Sequence, residues 1–148
     1  MSTVAVLGIG SPFGGDRVGW EVVDLLGEAP EARAPGVLLR ALDRPGPGLI
    51  AYLEGADHAV LVDAVRTGAD PGTLRRFTGL AELPASFSLS THGVGLGETL
   101  LLAGRLGHLP PWMVIGIEAD TERHPGAGAV EAGVAAVRAE LASLSRRG

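Results

Sequence analysis

The sequence predicts an α/β fold: three layers, helix–sheet–helix, around a mainly parallel sheet of about five strands. Three observations lead there. Short β-branched runs alternate with helical patterns along the whole chain. The strand-like runs are continuously apolar instead of alternating, the mark of strands buried on both faces. Hydrophobic residues make up 46% of the chain, enough to fold it despite 23 glycines and 10 prolines.

The elements follow in order. Residues 4–9 are an apolar run ended by glycines, a buried parallel strand. Residues 16–28 carry Val18, Val22, Leu25 and Leu26 at helical spacing, stopped by Gly27 and Pro30. A second strand spans 36–42, and a short helix spans 48–54, closed by Gly55. Residues 57–64 hold Ala59-Val60-Leu61-Val62, a third buried strand. Asp70-Pro71-Gly72 is a turn by composition, and 73–77 reads as a short antiparallel edge strand. Residues 93–107 form a helix with Leu96, Leu100, Leu101 and Leu106 on its apolar side. A strand over 112–118 and a helix over 129–144 complete the pattern, leaving Arg146-Arg147-Gly148 as a frayed basic tail. Each parallel crossover is expected to be right-handed.

A chain of 148 residues fits one domain, expected to span 1–148. A domain of that size buries about 68–70% of its unfolded surface and needs no covalent staples. The absence of cysteine removes disulfides, thiolate metal sites and cysteine nucleophiles. All 12 basic residues are arginine, which excludes Schiff-base chemistry and a lysine-bearing P-loop. With 17 acidic residues and a net charge of −5, a nucleic-acid surface is not expected. The amino-terminal apolar run is too short for a signal peptide or a membrane span, so a cytoplasmic location and no membrane partner are expected.

In such a sheet the ligand crevice lies outside the carboxyl ends of the strands. Three strand-end segments offer one metal-capable side chain each: Asp16, Asp63 and His92. A fourth offers Glu118 or Asp120. Asp63 follows Val60-Leu61-Val62 directly, where a carboxylate loses hydration unless something binds it. It is either a functional group or a structural one, capping a helix or pairing with Arg66. Asp16 opens a helix, where aspartate is also a good cap. His92 stands at a helix start between Thr91 and Gly93. Together, two carboxylates and an imidazole from separate loops suit Zn²⁺, Ni²⁺ or Fe²⁺ with open positions.

Other motifs fail. Gly8-x-Gly10 has its third glycine one position too far for a dinucleotide fingerprint. There is no Gly-x-Ser-x-Gly elbow and no His-Glu-x-x-His. Ser11, Ser88 and Ser90 read as loop and capping residues.

Several segments, in order, resemble the hydrogenase maturation proteases of peptidase family M52. The segment Gly8-Ile9-Gly10-Ser11-Pro12-Phe13-Gly14-Gly15-Asp16-Arg17-Val18-Gly19 resembles the family opening, G-[IV]-G-N-x-L-x-x-D-[DE]-x-[VI]-G. Val62-Asp63-Ala64-Val65-Arg66-Thr67-Gly68, followed by Pro71-Gly72-Thr73, resembles V-D-A-x-x-x-G…P-G-T. Ser90-Thr91-His92-Gly93-Val94-Gly95-Leu96 resembles S-x-H-x-x-x-L, and Ile115-Gly116-Ile117-Glu118 resembles I-G-[IV]-[QE]. The resemblance implies a phosphorylase/hydrolase-like sheet and an endopeptidase. The implied reaction removes the C-terminal extension of a [NiFe]-hydrogenase large-subunit precursor after nickel insertion. It implies Asp16, Asp63 and His92 as both the metal-binding and the catalytic residues. No permanent cofactor is expected, because the nickel belongs to the substrate, with Zn or Cd able to substitute in vitro. The precursor is the implied partner, and the enzyme is expected to be a monomer.

The chain departs from the pattern in places. Ser11 replaces the usual asparagine, the loop is one residue shorter, and a single Asp16 replaces an acidic pair. Arg17 is expected to place a cation beside the site, and the role of Glu118 is open. Asp16 is the favoured base because its loop is free to move, and Asp63 suits anchoring. Gly8, Gly10, Gly14, Gly15, Gly68, Gly72, Gly93, Gly95 and Gly116 cluster at the proposed edge, where they are expected to make room for a peptide tail. Two other readings are a small-ligand or anion-binding module using residues 8–15, which Asp16 disfavours, and a maturation scaffold that docks the precursor without cutting it.

Overall fold

The computed structural model describes residues 2–84, 95–120 and 122–147. Five strands, β1 (Val4–Gly10), β2 (Val37–Asp43), β3 (His58–Val65), β4 (Leu74–Phe77) and β5 (Trp112–Glu118), form one sheet in the order β2-β1-β3-β5-β4. All neighbours are parallel except β4, which runs antiparallel to β5 at the edge. The expected fold class and edge strand are both present.

Strand alternation sorts the side chains into two cores. Val6, Val60, Val62, Ile115 and Ile117 pack against helices α1 (Val18–Leu26) and α4 (Ala127–Arg147). Leu7, Ile9, Leu61, Val65 and Val114 pack against α2 (Ile50–Leu53) and α3 (Leu96–Arg105). Strands covered on both faces are largely apolar, and every residue of β1 is buried.

Some local expectations change. The helix expected over 16–28 begins with a 3₁₀ turn, Gly14–Arg17, before α1. The helix expected over 48–54 divides into a 3₁₀ turn, Gly46–Leu49, and the single turn of α2, with Pro47 inside the first part. In α3 the buried stripe is Leu96, Thr99, Leu100 and Ala103, whereas Leu101 and Leu106 are exposed. Leu100, Leu101 and Leu102 are adjacent, and helical geometry lets only one of them enter that stripe. Residues 93–94, expected to begin this helix, lie outside the described residues. α4 runs on to Arg147, so residues 146 and 147 are helical instead of frayed. Arg147 reaches Glu140 at 3.5 Å, and cations at a helix C-terminus are favoured. Among the described residues no helix is long and apolar enough to cross a membrane.

The strand order sets the position of the site. From β1 the chain crosses to β2 on one side, and from β2 it returns to β3 on the other, so β1 and β3 flank the topological switch point. Pairing between β1 and β3 ends at Gly8 and Val62. β1 continues beside β2 to Gly10, and β3 continues beside β5 to Val65. The two strands therefore part, and the start of α1 lies over the fork. A Cβ on Gly19 would fall 2.5 Å from the Ile9 carbonyl oxygen and 2.6 Å from that of Val62. A Cβ on Gly8 would fall 2.4 Å from the carbonyl oxygen of Gly19. Helix and strands meet backbone to backbone, which only glycine allows.

Gly19→Ala therefore sets two effects against each other. Alanine is favoured over glycine inside a helix by about 1 kcal/mol. Overpacking a well-filled site costs about 1–3 kcal/mol, and more where the neighbour is backbone that cannot rotate away. We expect a net loss of stability in urea denaturation. A variant as stable as the parent would contradict the close approach.

Candidate active site

Asp16 sits in the 3₁₀ turn that follows β1 and is only 3% exposed. It does not cap the helix: neither the turn nor α1 has a side-chain cap. Its carboxylate Oδ2 instead accepts a hydrogen bond from Ser11 Oγ at 2.9 Å. The Ser11 amide donates to the Asp16 carbonyl at 3.2 Å, and the Asp16 amide donates to the Phe13 carbonyl at 2.9 Å. This turn packs against β3. Asp63 is the first residue of β3 beyond its last pairing with β1, and it is fully buried. It lies inside the strand, which continues to Val65, and not after it. Its Oδ1 accepts from the Ala64 amide at 2.8 Å. By alternation it shares the α2/α3 face of the sheet with Leu61 and Val65.

The fork thus brings the Asp16 turn and Asp63 together from opposite sides. Burying two carboxylates is costly unless they are hydrogen-bonded or bound, and the bonds above supply part of the compensation. His92, Ser88 and Ser90 lie outside the described residues. Among the described residues no three His, Asp or Glu side chains gather closely enough to hold a metal ion.

The structure gives the two remaining acidic candidates other work. Glu118, 5% exposed at the end of β5, faces the loop that follows β3. Its carboxylate accepts from the Thr67 amide at 2.9 Å, from Thr67 Oγ1 at 2.5 Å and from the Gly68 amide at 3.3 Å. It clamps that loop. Asp120 Oδ1 accepts from the amides of Arg123 at 2.6 Å and Glu122 at 2.9 Å. These bonds, the Arg123 amide foremost, hold its carboxyl below the usual carboxylate range. The Asp120 carbonyl in turn accepts from the Gly15 amide at 3.0 Å.

That last contact corrects two expectations. The Asp16 loop is not left free to move, since backbone bonds tie it at Ser11, Gly15 and Asp16. Nor do Gly10 and Gly15 leave space for a foreign peptide, whereas a Cβ on Gly68 would meet nothing within 4 Å. A Cβ on Gly10 would fall 2.4 Å from the Asp16 carbonyl oxygen, and one on Gly15 would fall 2.3 Å from that of Asp120. The protein's own backbone fills both places. Arg17 is exposed, and its Nε reaches back to the Gly14 carbonyl at 3.4 Å. Arg44 feels Asp16: its pKa is raised first by its bond to Asp43 and, more weakly, by the charge of Asp16. Arg44 adopts φ +43°, donates its amide to the Gly10 carbonyl at 2.9 Å, and lies 5.8 Å from the exposed Phe13 ring. Its only local signal is its place after the second strand. Glu21 and His124, which contact each other across 103 residues, carry no local signal at all.

A cavity of about 550 Å³ lined by Val4, Val37, His58, Leu141 and Leu144 opens at the amino ends of the strands. It lies at the opposite end of the strands from Asp16 and Asp63.

Two measurements follow. Glu118→Ala strips the Thr67 and Gly68 amides of a charged acceptor and is expected to cost about 2–4 kcal/mol in urea denaturation. Asp120 has a lowered folded-state pKa, so its contribution is complete above its unfolded pKa of about 3.9 and is lost as pH falls through the lower folded value. The stability gap between wild type and Asp120→Ala should therefore be full at pH 6 and close in the acid range below pH 4. A constant gap would contradict the assignment.

The sequence model of the hydrogenase maturation protease family matches residues 45–139, which include Asp63 and Glu118 but not Asp16. Among solved structures, the hydrogenase maturating endopeptidase HybD from E. coli is 26% identical, with a TM-score of 0.71 over 99% of this chain and 94% of that one. The hydrogenase 2 maturation peptidase from Thaumarchaeota archaeon SCGC_AB-539-E09 is 27% identical, with a TM-score of 0.61 over 97% of this chain and 99% of that one. The [NiFe] hydrogenase maturation protease HycI from Thermococcus kodakarensis KOD1, 21% identical, shares the fold with a TM-score of 0.68 over 97% of this chain and 93% of that one. No curated protein matches the chain. With the family's sequence model matching well over half of its length, the chain belongs to the hydrogenase maturation protease family and is an endopeptidase.

Proposed function

We propose that this enzyme removes the C-terminal extension of a [NiFe]-hydrogenase large-subunit precursor after nickel has been inserted. Asp16, Asp63 and His92 meet the nickel that the precursor carries. The observation that carries this reading is the burial of two carboxylates at one strand fork, in a chain of this family. Oxygen and imidazole donors without a thiolate suit a metal that arrives with its softer ligands already in place.

In this reading the nickel is part of the substrate, and contact with it fixes the scissile bond over the fork. Fixing the bond supplies proximity and orientation. Water then adds to the scissile carbonyl carbon, and its proton passes to a carboxylate acting as base. The C–N bond breaks, and the proton goes to the leaving amine. The products are the mature subunit with a new C-terminal carboxylate and the released tail with a free amine. Asp63, held within β3, suits anchoring. Asp16, on the turn, suits the base. The turn is braced, so its advantage lies in fixed position and not in mobility.

The test is cleavage followed by intact mass. Purified enzyme should shorten a nickel-loaded precursor by its tail and leave a nickel-free precursor whole. Asp16→Ala, Asp63→Ala and His92→Ala should each lower kcat by about 100-fold or more. Native rates in all three would sink the site, and equal cleavage of the nickel-free precursor would sink the role of nickel. Docking of the precursor with no cleavage by the wild-type enzyme would favour a scaffold instead.

A further inference from the structure

We propose that Glu21 and His124 form a latch that positions Asp16 for cleavage through the backbone between β5 and α4. The proposal rests on Asp16 being a residue of the cleavage site. Glu21 lies in the first turn of α1, and His124 lies between β5 and α4. The Gly126 amide donates to His124 Nδ1 at 2.8 Å. A backbone amide can only donate, so Nδ1 is the acceptor and the ring proton sits on Nε2, which contacts Glu21 Oε1. Both ring nitrogens are engaged. That leaves His124 as a strut between two elements, and not as a base or a ligand.

The same stretch of chain holds the Asp16 turn. Through its carbonyl, Asp120 accepts the Gly15 amide at 3.0 Å, and through Oδ1 it gathers the amides of Glu122 and Arg123. There is no slack at this join. A Cβ on Gly15 would fall 2.3 Å from the Asp120 carbonyl oxygen and 2.9 Å from that of Arg123. The stretch is thus fastened to α1 by the latch and to the residue before Asp16 by the Gly15 bond. Releasing the latch lets the stretch shift, and the shift reaches Asp16 through a single peptide unit.

The latch is partly exposed, at 41% for the Glu21 side chain and 24% for that of His124. A partly exposed hydrogen bond, exchanged for one to water, contributes little to global stability. Small displacements of a reacting group, by contrast, are felt strongly in rate. The expected signature is a loss in kcat at nearly unchanged stability and KM, because a small shift keeps Asp16 within reach of the nickel while spoiling its placement as base.

The experiment compares wild type, Glu21→Ala, Glu21→Gln and Asp16→Ala on the nickel-loaded precursor by intact mass. Hydrogen exchange of the Gly15 amide is followed by NMR on the free enzymes. Glu21→Ala should lower kcat about tenfold with KM within about twofold, and should speed Gly15 exchange about tenfold. Glu21→Gln, whose amide oxygen still accepts from Nε2–H, should recover both. Unchanged Gly15 exchange in Glu21→Ala overturns the latch, whatever the activity. Faster exchange at native kcat, with Asp16→Ala inactive, overturns the positioning role alone. Native cleavage by Asp16→Ala overturns the reading of the site, and the positioning role with it. Failure of Glu21→Gln to recover either quantity also overturns the proposal.

Discussion

The parting of β1 from β3 after Gly8 and Val62 organises the rest of this molecule. A parallel sheet whose connections leave to opposite sides must open a gap at its switch point. Here the gap is closed from above by the first turn of α1, at a distance only glycine permits. That approach fixes where the chain turns after β1. It therefore fixes where Asp16 stands relative to Asp63, the first residue of β3 beyond the last shared pair.

Polar burial is concentrated around the same fork. Among the described residues, Ser11, Asp16, Asp63 and Glu118 are buried at the carboxyl edge of the sheet, whereas the remaining buried polar side chain, Thr99, lies within α3. Carboxylates removed from water carry a large penalty, so their presence at one end is a stronger sign of chemistry than an apolar cavity at the other. The edge also separates its acidic groups by task. Glu118 and Asp120 spend their oxygens on backbone amides and stiffen the surrounding loops. Asp16 and Asp63 border the gap itself. The Asp16 turn is held from several directions by hydrogen bonds at Ser11, Gly15 and Asp16.

Much of the fold was legible in the sequence. The apolar runs at 4–9, 57–64 and 112–118 could only be strands buried on both faces, and the observed strands differ from them by a residue or so. Misread elements were those in which neighbouring residues compete for one environment. Three adjacent leucines in α3 offer three possible stripes, and packing selects one. Asp16 and Asp63 were legible as strand-end carboxylates because topology places ligands at strand ends. The clamp by Glu118 and the contact of Glu21 with His124 join residues about 50 and 103 positions apart, and nothing local marks them.

The sequence by itself determined the element order, the buried faces, the chemistry it lacks and the candidate acidic residues at the edge. Those follow from composition and from periods of 2 and 3.6 residues, which are local properties. Only the tertiary structure decided what the glycines and the other acids are for. Gly8, Gly10, Gly15 and Gly19 admit the protein's own backbone, and Glu118 and Asp120 bind loop amides. The reason is physical: a close approach or a hydrogen bond depends on which distant segment lies opposite, and that is settled when the sheet and its connections are assembled.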